Sequence, residues 1–347
     1  MPILMSNPVP NRILFIRPSA LGDVCRSVPV VASLKKHWPD ATIDWLVQSE
    51  FIDAVSMHPA VNEVIPFPRQ SLRRWYFPKG FFKMLAFLRL LKSKKYDLVI
   101  DGQGLGRSGL FAWATRCKTR IGPASAREFG WLGYTQKVQT KREHAVDQML
   151  ALSEAAGAPS IQDMQLSANE SDVSWWNQFQ EQRAIGPYIV IAPTSRWESK
   201  QWPVERYIEV AQHIIAKGMN VVVVGAPNET VQIEPILSYD GMLNLLPEMT
   251  IGRVMAVIAQ SKLVIANDSA ALHIAVGFHR PCIGLFGPTN PALVGPYQCE
   301  DAVITAKVNY DSVHYKNRSL GNHLMKQIST KEVLAKVDAC LKGETNE

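Results

Sequence analysis

The stretch that decides the fold lies near the N-terminus and reads ILFIRPSALGDV, residues 13–24. Its first four residues, Ile13 to Ile16, are apolar and partly β-branched, which is typical of a short buried strand. A loop with Pro18 and Gly22 follows, and the next residues, Asp23 to His37, have the spacing of a helix. We therefore predict a strand, loop and helix unit, the building block of a parallel α/β sheet.

The same alternation continues through the chain and starts again after residue 186. Strands are predicted at residues 42–47, 63–65, 98–100, 188–192, 220–224, 263–266 and 282–286. Helices are predicted at residues 51–57, 80–93, 203–217 and 251–260, and from Asp268 onward. This pattern predicts two parallel sheets that are covered by helices on both faces.

Two domains are also expected from size, because 347 residues with 47% hydrophobic content exceed what one core usually supports. We predict an N-terminal domain over residues 1–172, a linker over 173–186, a C-terminal domain over 187–326 and a final helix over 327–347. The linker ends at Gly186-Pro187, which breaks any preceding helix. In open α/β sheets ligands bind at the carboxyl ends of the strands, so we expect a cleft between the two domains.

Charge and cysteine content restrict the setting in which the protein works. The net charge is +6, and residues 69–95 contain nine basic residues and no acidic one. Such a block favours an anionic partner, namely a phosphorylated glycolipid, a membrane surface or a nucleic acid, although a solvated helix face is the alternative. Five cysteines without a CxxC pair indicate a reducing compartment, the cytoplasm. Without a signal-like or membrane-spanning apolar run, we expect a protein that is not integral to a membrane.

The first candidate for chemistry is Asp23, in the loop that follows the first strand. Its carboxylate lies at the predicted start of a helix, where the helix dipole favours the ionised form. An ionised carboxylate beside a ligand site is a candidate general base. The structural alternative is that Asp23 only caps the helix, because aspartate is a preferred capping residue.

Three further motifs follow strands of the second half. In Pro193–Pro203 the adjacent hydroxyl groups of Thr194 and Ser195 and the cation of Lys200 are suited to a diphosphate, although ordinary loop polarity is the alternative. Asn267–His273 begins a helix with small residues whose backbone N–H groups can bind an anion, and a structural His273 is the alternative there. Phe286–Pro291 adds Thr289 as a secondary candidate, or simply ends a strand.

A competing signal is Gly104–Gly109, which matches the GxGxxG pattern of dinucleotide binding after a predicted strand. The motif does not follow the first strand of its domain, and polar Asp101 and Gln103 stand where the tight turn belongs, so the match is weak. The sequence has no Walker A motif, no HExxH and no clustered metal ligands. A metal-independent mechanism is the default expectation.

Taken together, the motifs resemble those of the lipopolysaccharide heptosyltransferases in sequence and order. They are Ser19–Val24, Asp101–Leu105, Lys200–Pro203, Asn267–His273 and Phe286–Pro291. The resemblance runs from about residue 12 to residue 340. Ala126–Glu128 and His144–Asp147 look closer to heptosyltransferase I than to the second-heptose enzymes.

The resemblance implies a GT-B fold, in which two Rossmann-like domains face each other across a cleft and a C-terminal helix crosses back to the first domain. It also implies inverting, metal-independent transfer of L-glycero-D-manno-heptose from ADP-heptose to a Kdo sugar of lipid A, without a cofactor. The implied setting is the cytoplasmic face of the inner membrane, with peripheral membrane contact and no nucleic acid partner.

Site residues follow from the same resemblance, with Asp23 as the general base. The implied donor site comprises Thr194, Ser195, Lys200, Glu229, Asp268, Ser269, Ala270, Ala271, His273 and Thr289. The implied acceptor site comprises Ser19, Gly22, Arg69, Arg73, Arg74, Asp101, Gln103 and Arg127. The chain departs from the family where Ser269-Ala270 replaces the common Thr-Gly and where Pro18 replaces a hydroxyl residue. Two alternatives stay open: a related transferase for another ADP- or UDP-sugar, and an inactive nucleotide-sugar binding protein.

Overall fold

The structure is a computed structural model that describes residues 9–72, 77–237, 239 and 241–343. The chain forms two compact units, Met1–Met164 and Gln165–Glu347. Each unit contains one six-stranded parallel sheet, as the alternating pattern predicts.

The described residues of the first unit form six strands and six helices. The strands are β1 (Arg12–Ile16), β2 (Thr42–Gln48), β3 (Glu63–Phe67), β4 (Leu98–Asp101), β5 (Thr119–Pro123) and β6 (Gln136–Val138). The helices are α1 (Leu21–Cys25), α2 (Val28–His37), α3 (Arg69–Leu72), α4 (Pro78–Ser93), α5 (Gly106–Ala114) and α6 (Ala145–Ala155). Short 3₁₀ turns lie at Ser49–Ala54 and Gly130–Gly133.

The strand order of the first sheet is β3-β2-β1-β4-β5-β6, and all pairs are parallel. The order reverses between β1 and β4, whose last residues, Ile16 and Asp101, lie opposite each other. A ligand crevice forms at such a reversal, outside the carboxyl ends of the two strands. The loops after β1 and β4 therefore lie where a Rossmann-like domain places its site.

The predicted helix over residues 23–37 is wrong in one respect, because it is divided into α1 and α2. Pro29 occupies the first turn of α2, where its missing N–H costs nothing. Inside a continuous helix the Pro29 ring would clash with the carbonyl group four residues earlier. The break leaves α1 as a separate helix of five residues that carries Asp23.

The second unit repeats the architecture. Its strands are β7 (Tyr188–Ala192), β8 (Asn220–Val223), β9 (Met242–Asn244), β10 (Leu263–Asn267), β11 (Cys282–Phe286) and β12 (Val303–Thr305). Its helices are α7 (Glu170–Gln182), α8 (Val204–Ala216), α9 (Glu234–Leu237), α10 (Ile251–Ala259), α11 (Ala270–Gly277), α12 (Pro291–Val294), α13 (Arg318–Gln327) and α14 (Thr330–Gly343). The strand order β12-β11-β10-β7-β8-β9 reverses between β7 and β10.

Two segments of the second unit concern the predicted linker and the predicted final helix. Most of the predicted linker lies in α7, where the buried Trp176 donates a 2.8 Å hydrogen bond to the hydroxyl of Tyr188 in β7. Helix α14 packs on α8 and β11, with Val337 in the core and Asp338 bonded to His213. These contacts lie within the second unit, and the packing of α14 on the first domain stays a prediction. Within the described ranges, no helix has the length and apolar character needed to cross a bilayer.

Candidate functional site

In the first unit, Asp23 lies beyond the end of β1 between two arginines. Arg17 approaches its carboxylate to 3.2 Å, and Arg26, one turn further along, forms an ion pair with the same oxygen. Burial alone would raise the pKa of Asp23, but both guanidinium groups and the backbone N–H of Ala20 lower it to about 2. The Ala20 bond also means that Asp23 stabilises the start of α1, as the structural alternative proposes.

The loop after β4 is shaped by Asp101, which is fully buried. Its carboxylate accepts hydrogen bonds from the Tyr134 hydroxyl at 2.6 Å and from the backbone N–H groups of Gln103 and Gly104. Burial raises the pKa of Asp101. The prediction that Asp101 contacts the acceptor does not fit, because the side chain has no exposed surface. We assign Asp101 to the folding of this loop.

The other predicted acceptor residues occupy different positions. Ser19 donates its backbone N–H to the Gln103 side chain at 3.0 Å, which ties the loops after β1 and β4 together, and Gly22 lies in α1. Arg127 is exposed, and its backbone N–H donates to Gly104 O. Arg69 begins α3 and borders a cavity of about 440 Å³ that is also lined by Gln48, Glu50 and Gln70. Arg73 and Arg74 lie outside the described residues.

In the second unit, three predicted donor residues meet at the carboxyl edge of the sheet. Lys200 Nζ lies 2.6 Å from Asp268 Oδ2, and the Thr289 hydroxyl donates to the same oxygen at 2.8 Å. These residues come from the segments after β7, β10 and β11, so the parallel sheet brings them together. The result is a cation, a carboxylate and a hydroxyl within one contact network.

Asn267, the last residue of β10, holds this network in place. Its buried amide donates to Pro193 O at 2.6 Å and accepts from the backbone N–H of Trp202 and from the Tyr207 hydroxyl. These bonds fix both ends of the loop that carries Lys200. Asn267 belongs to a predicted motif, but the sequence pattern predicts no role for this residue.

Two further predicted donor residues, Thr194 and Glu229, meet in the loops that follow β7 and β8. Thr194 donates its hydroxyl hydrogen to Glu229 Oε2 at 2.6 Å, and Glu229 also accepts from the N–H of Ala226. Ser195 donates its backbone N–H to Gln232, which in turn accepts from the Gln201 side chain. Both hydroxyl residues are almost fully buried. Gln201 and Gln232 were missed, because neither residue type nor spacing indicates this pairing.

The start of α11 supplies backbone donors beside Asp268. Ser269 is the N-cap residue in an extended conformation, and its side chain does not cap the helix. The first N–H groups of a helix have no acceptor within it and attract an anion, so Ser269 to Ala271 are suited to phosphate oxygens. His273 is only 3% exposed. This burial favours the structural alternative for the histidine over the contact with a phosphate.

Aromatic residues around Lys200 were not predicted. The Tyr315 ring centroid lies 5.0 Å from Lys200 Nζ, and the Trp197 ring packs edge-on against Tyr315 at 5.7 Å. The Ser199 hydroxyl donates to Tyr315 O, which anchors the segment before α13 to the Lys200 loop. Tyr315 is more than 100 residues from Lys200 in sequence, and no local pattern indicates their contact.

The glycines of the GxGxxG match have a packing role. A Cβ at Gly109 would overlap Gly130 O, and a Cβ at Gly106 would overlap Glu128 O. Both glycines therefore allow α5 to pack closely on the 3₁₀ turn Gly130–Gly133 and the residues before it. In the described part of the chain, no group of three or more His, Cys, Asp or Glu residues is arranged to hold a metal.

Solved structures define the class of protein. The chain is similar to E. coli heptosyltransferase WaaC with ADP-2-deoxy-2-fluoro heptose, with 25% identity, a TM-score of 0.74 and coverage of 94% of this chain and 99% of that one. E. coli ADP-heptose lps heptosyltransferase II is 24% identical, with a TM-score of 0.76 and coverage of 96% of this chain and 99% of that one. The two parallel sheets and these likenesses define a glycosyltransferase of the GT-B class, which confirms the predicted fold class.

Residues 84–323 match glycosyltransferase family 9 (heptosyltransferase). Lipopolysaccharide heptosyltransferase 1 of Salmonella typhimurium is 30% identical over 82% of this chain and 91% of its own length. The chain therefore belongs to glycosyltransferase family 9, the heptosyltransferases, and the resemblance seen in the sequence is confirmed.

Proposed function

We propose that this enzyme transfers L-glycero-D-manno-heptose from its ADP-activated form to a Kdo residue of the lipopolysaccharide inner core, with inversion and without a metal. The family supports heptose transfer, and a related structure is described as heptosyltransferase WaaC with ADP. The observation that carries the proposal is the contact of Lys200 and Thr289 with Asp268 beside the start of α11.

In the proposed reaction, the acceptor hydroxyl oxygen forms a bond to the anomeric carbon while the bond from that carbon to the diphosphate oxygen breaks. Asp23 accepts the hydroxyl proton, and its low pKa keeps it ionised at neutral pH. Lys200 and the N–H groups at the start of α11 stabilise the negative charge of the leaving ADP. An ammonium has three N–H donors, so Lys200 can contact a phosphate oxygen and keep its bond with Asp268.

The proposed setting follows from the acceptor. A Kdo sugar on lipid A is anchored in a bilayer, so the enzyme would act as a peripheral protein at the cytoplasmic face of the inner membrane. Arg69 and Arg127, together with Arg73 and Arg74, are the proposed contacts for the acceptor's acidic groups.

The test is an assay of nucleotide release with ADP-heptose, other ADP-sugars and UDP-sugars, each with and without deacylated Kdo-lipid A. We expect ADP release that requires both ADP-heptose and the acceptor. Nucleotide release that occurs only with a different nucleotide sugar would support the related transferase instead. Binding of ADP-heptose without turnover would support an inactive nucleotide-sugar binding protein.

A further inference from the structure

Exposed large hydrophobic residues are concentrated in one part of the first unit. Thirteen such residues occur in the described chain, and nine of them lie between residues 77 and 132. We call these nine the aromatic surface: Phe77, Phe81, Phe82, Leu90, Leu110, Trp113, Phe129, Trp131 and Leu132. Every exposed phenylalanine and tryptophan among the thirteen belongs to it. Single exposed apolar residues are ordinary, but a concentration of exposed large apolar side chains on a protein surface marks an interaction site.

Helix α4 contributes the first part of this surface. It packs Phe87 and Leu91 on the sheet, while Phe81 and Phe82 on the outer side touch each other with ring centroids 5.8 Å apart. Lys79 and Lys83 are exposed on the same helix, within two residues of Phe81 in sequence. A helix that only faced water would not place two phenylalanines, each more than half exposed, on its outer side.

Helix α5 and the 3₁₀ turn Gly130–Gly133 contribute the second part. Glycine contacts hold the turn against α5, and α5 packs beside α4 through Phe87 and Phe111, whose rings are 5.2 Å apart. Phe129, before the turn, is 74% exposed. Its φ of 60° lies in the left-handed region that favours glycine. The fold therefore holds a large apolar side chain outward at a conformational cost.

Basic residues contact two rings of the aromatic surface and are frequent in the segments that carry it. Arg116 lies 3.8 Å from the centroid of the Trp113 ring, and Lys137 Nζ lies 4.3 Å from that of Trp131. Residues 106–138 contain six basic residues and one acidic residue, Glu128, and residues 69–95 contain no acidic residue. A partner for this surface must therefore have both an apolar region that can bury these side chains and negatively charged groups.

We propose that the aromatic surface binds the headgroup region of an anionic lipid bilayer. Phenylalanine, tryptophan and leucine insert into the boundary between headgroups and acyl chains, while lysine and arginine pair with anionic headgroups. A second copy of the same surface would instead bring two sets of cations together, which is unfavourable. This inference deepens the proposed function and rests on it for the membrane-anchored acceptor.

The test is sedimentation of the full chain with vesicles of phosphatidylcholine alone or of phosphatidylcholine with phosphatidylglycerol. We expect binding to the anionic vesicles only, weakened by salt. The combined variant Phe81→Ser, Phe82→Ser, Leu132→Ser should bind at least about tenfold more weakly, because it loses apolar burial from three side chains. Val231→Ser is the matched control, because Val231 is 84% exposed in the second unit. Its binding should not change.

Unchanged vesicle binding by the combined variant would overturn the proposal, and so would no binding by the unaltered chain at low salt. Self-association that the combined variant abolishes, without vesicle binding, would overturn it in favour of a second copy. Transfer to the deacylated, water-soluble acceptor separates this test from that of the proposed function. If transfer persists while vesicle binding is absent, only the bilayer inference fails; if vesicle binding persists without transfer, only the proposed function fails.

Discussion

Asp23 holds a negative charge between Arg17 and Arg26, and this pairing decides what its carboxylate can do at neutral pH. A pKa of about 2 keeps the carboxylate ionised but makes it a weak proton acceptor in the ground state. Proton transfer then becomes favourable only as the acceptor oxygen bonds to the sugar and its hydroxyl becomes strongly acidic. In the proposed reaction, the two arginines would therefore restrict Asp23 to a late proton transfer.

Asp23→Asn removes the proton acceptor while keeping a side chain of similar shape. We expect turnover to fall by roughly 10²–10⁴, the usual contribution of general-base catalysis, with little change in donor affinity. Steady-state kinetics with ADP-heptose and deacylated acceptor measure both quantities. Asp40→Asn, at an exposed turn, is the control. Turnover in Asp23→Asn equal to that of the control would remove Asp23 from the base role.

The ion pairs of Asp23 with Arg17 and Arg26 should also contribute to the free energy of unfolding. The folded-state pKa of Asp23 lies below the ordinary aspartate value of 3.8, so the ionised group stabilises the fold above that pH, and this stabilisation is lost as pH falls through about 2. Because the side chain is 30% exposed, we discount the contribution to about 1–2 kcal/mol. Urea unfolding should show Asp23→Asn destabilised by this amount near neutral pH, with the difference shrinking toward about pH 2. A difference independent of pH would contradict the assignment.

Strands and helices differ in how well their residues predict them. β7 and β11 match their predicted bounds because each is an apolar run buried on both faces. β6 was missed because this edge strand has three residues and exposes Gln136 and Lys137. α5 was missed because its glycines disfavour an isolated helix, and the helix is stabilised by packing that no local pattern shows.

Gly109 gives a test of that packing. Gly109→Ala would place a methyl group against the backbone of Gly130, which cannot move as a flexible side chain would. We expect a loss of about 1–3 kcal/mol in the free energy of unfolding, measured by urea denaturation. Gly186→Ala is the control, because its Cβ would lie 3.6 Å from the nearest atom, an ordinary contact. Equal stability of the two variants would show that the contact is relaxed without cost.

Part of the candidate site was predictable because parallel strands share one carboxyl edge. Lys200, Asp268 and Thr289 each follow a strand of the second sheet, and the structure brings all three together. The rest depended on tertiary contacts. Arg26 lies one turn after Asp23, so the spacing of the two residues could have predicted their ion pair. No sequence pattern predicts the approach of Tyr315 to Lys200.

At the scale of the whole molecule, the net charge of +6 sets the response to salt. We expect the KM for the soluble, deacylated acceptor to rise with ionic strength, because exposed cations such as Arg69 and Arg127 are screened. Initial rates across a salt series measure this effect, with the KM for donor followed in parallel as the internal reference. An acceptor KM that does not depend on salt would mean that these arginines only face solvent.

The most direct test of the donor site is calorimetric titration of ADP into the unaltered chain, Lys200→Ala and the control Lys217→Ala. Lys217, the residue after α8, pairs with Asp338 of α14, away from the carboxyl edge where Lys200 lies. Loss of a charged hydrogen bond to the diphosphate should weaken ADP binding by roughly 10- to 100-fold in Lys200→Ala. Lys217→Ala should bind as the unaltered chain does. Equal ADP affinity in all three proteins would contradict the claim that the Lys200, Asp268 and Thr289 network holds the diphosphate.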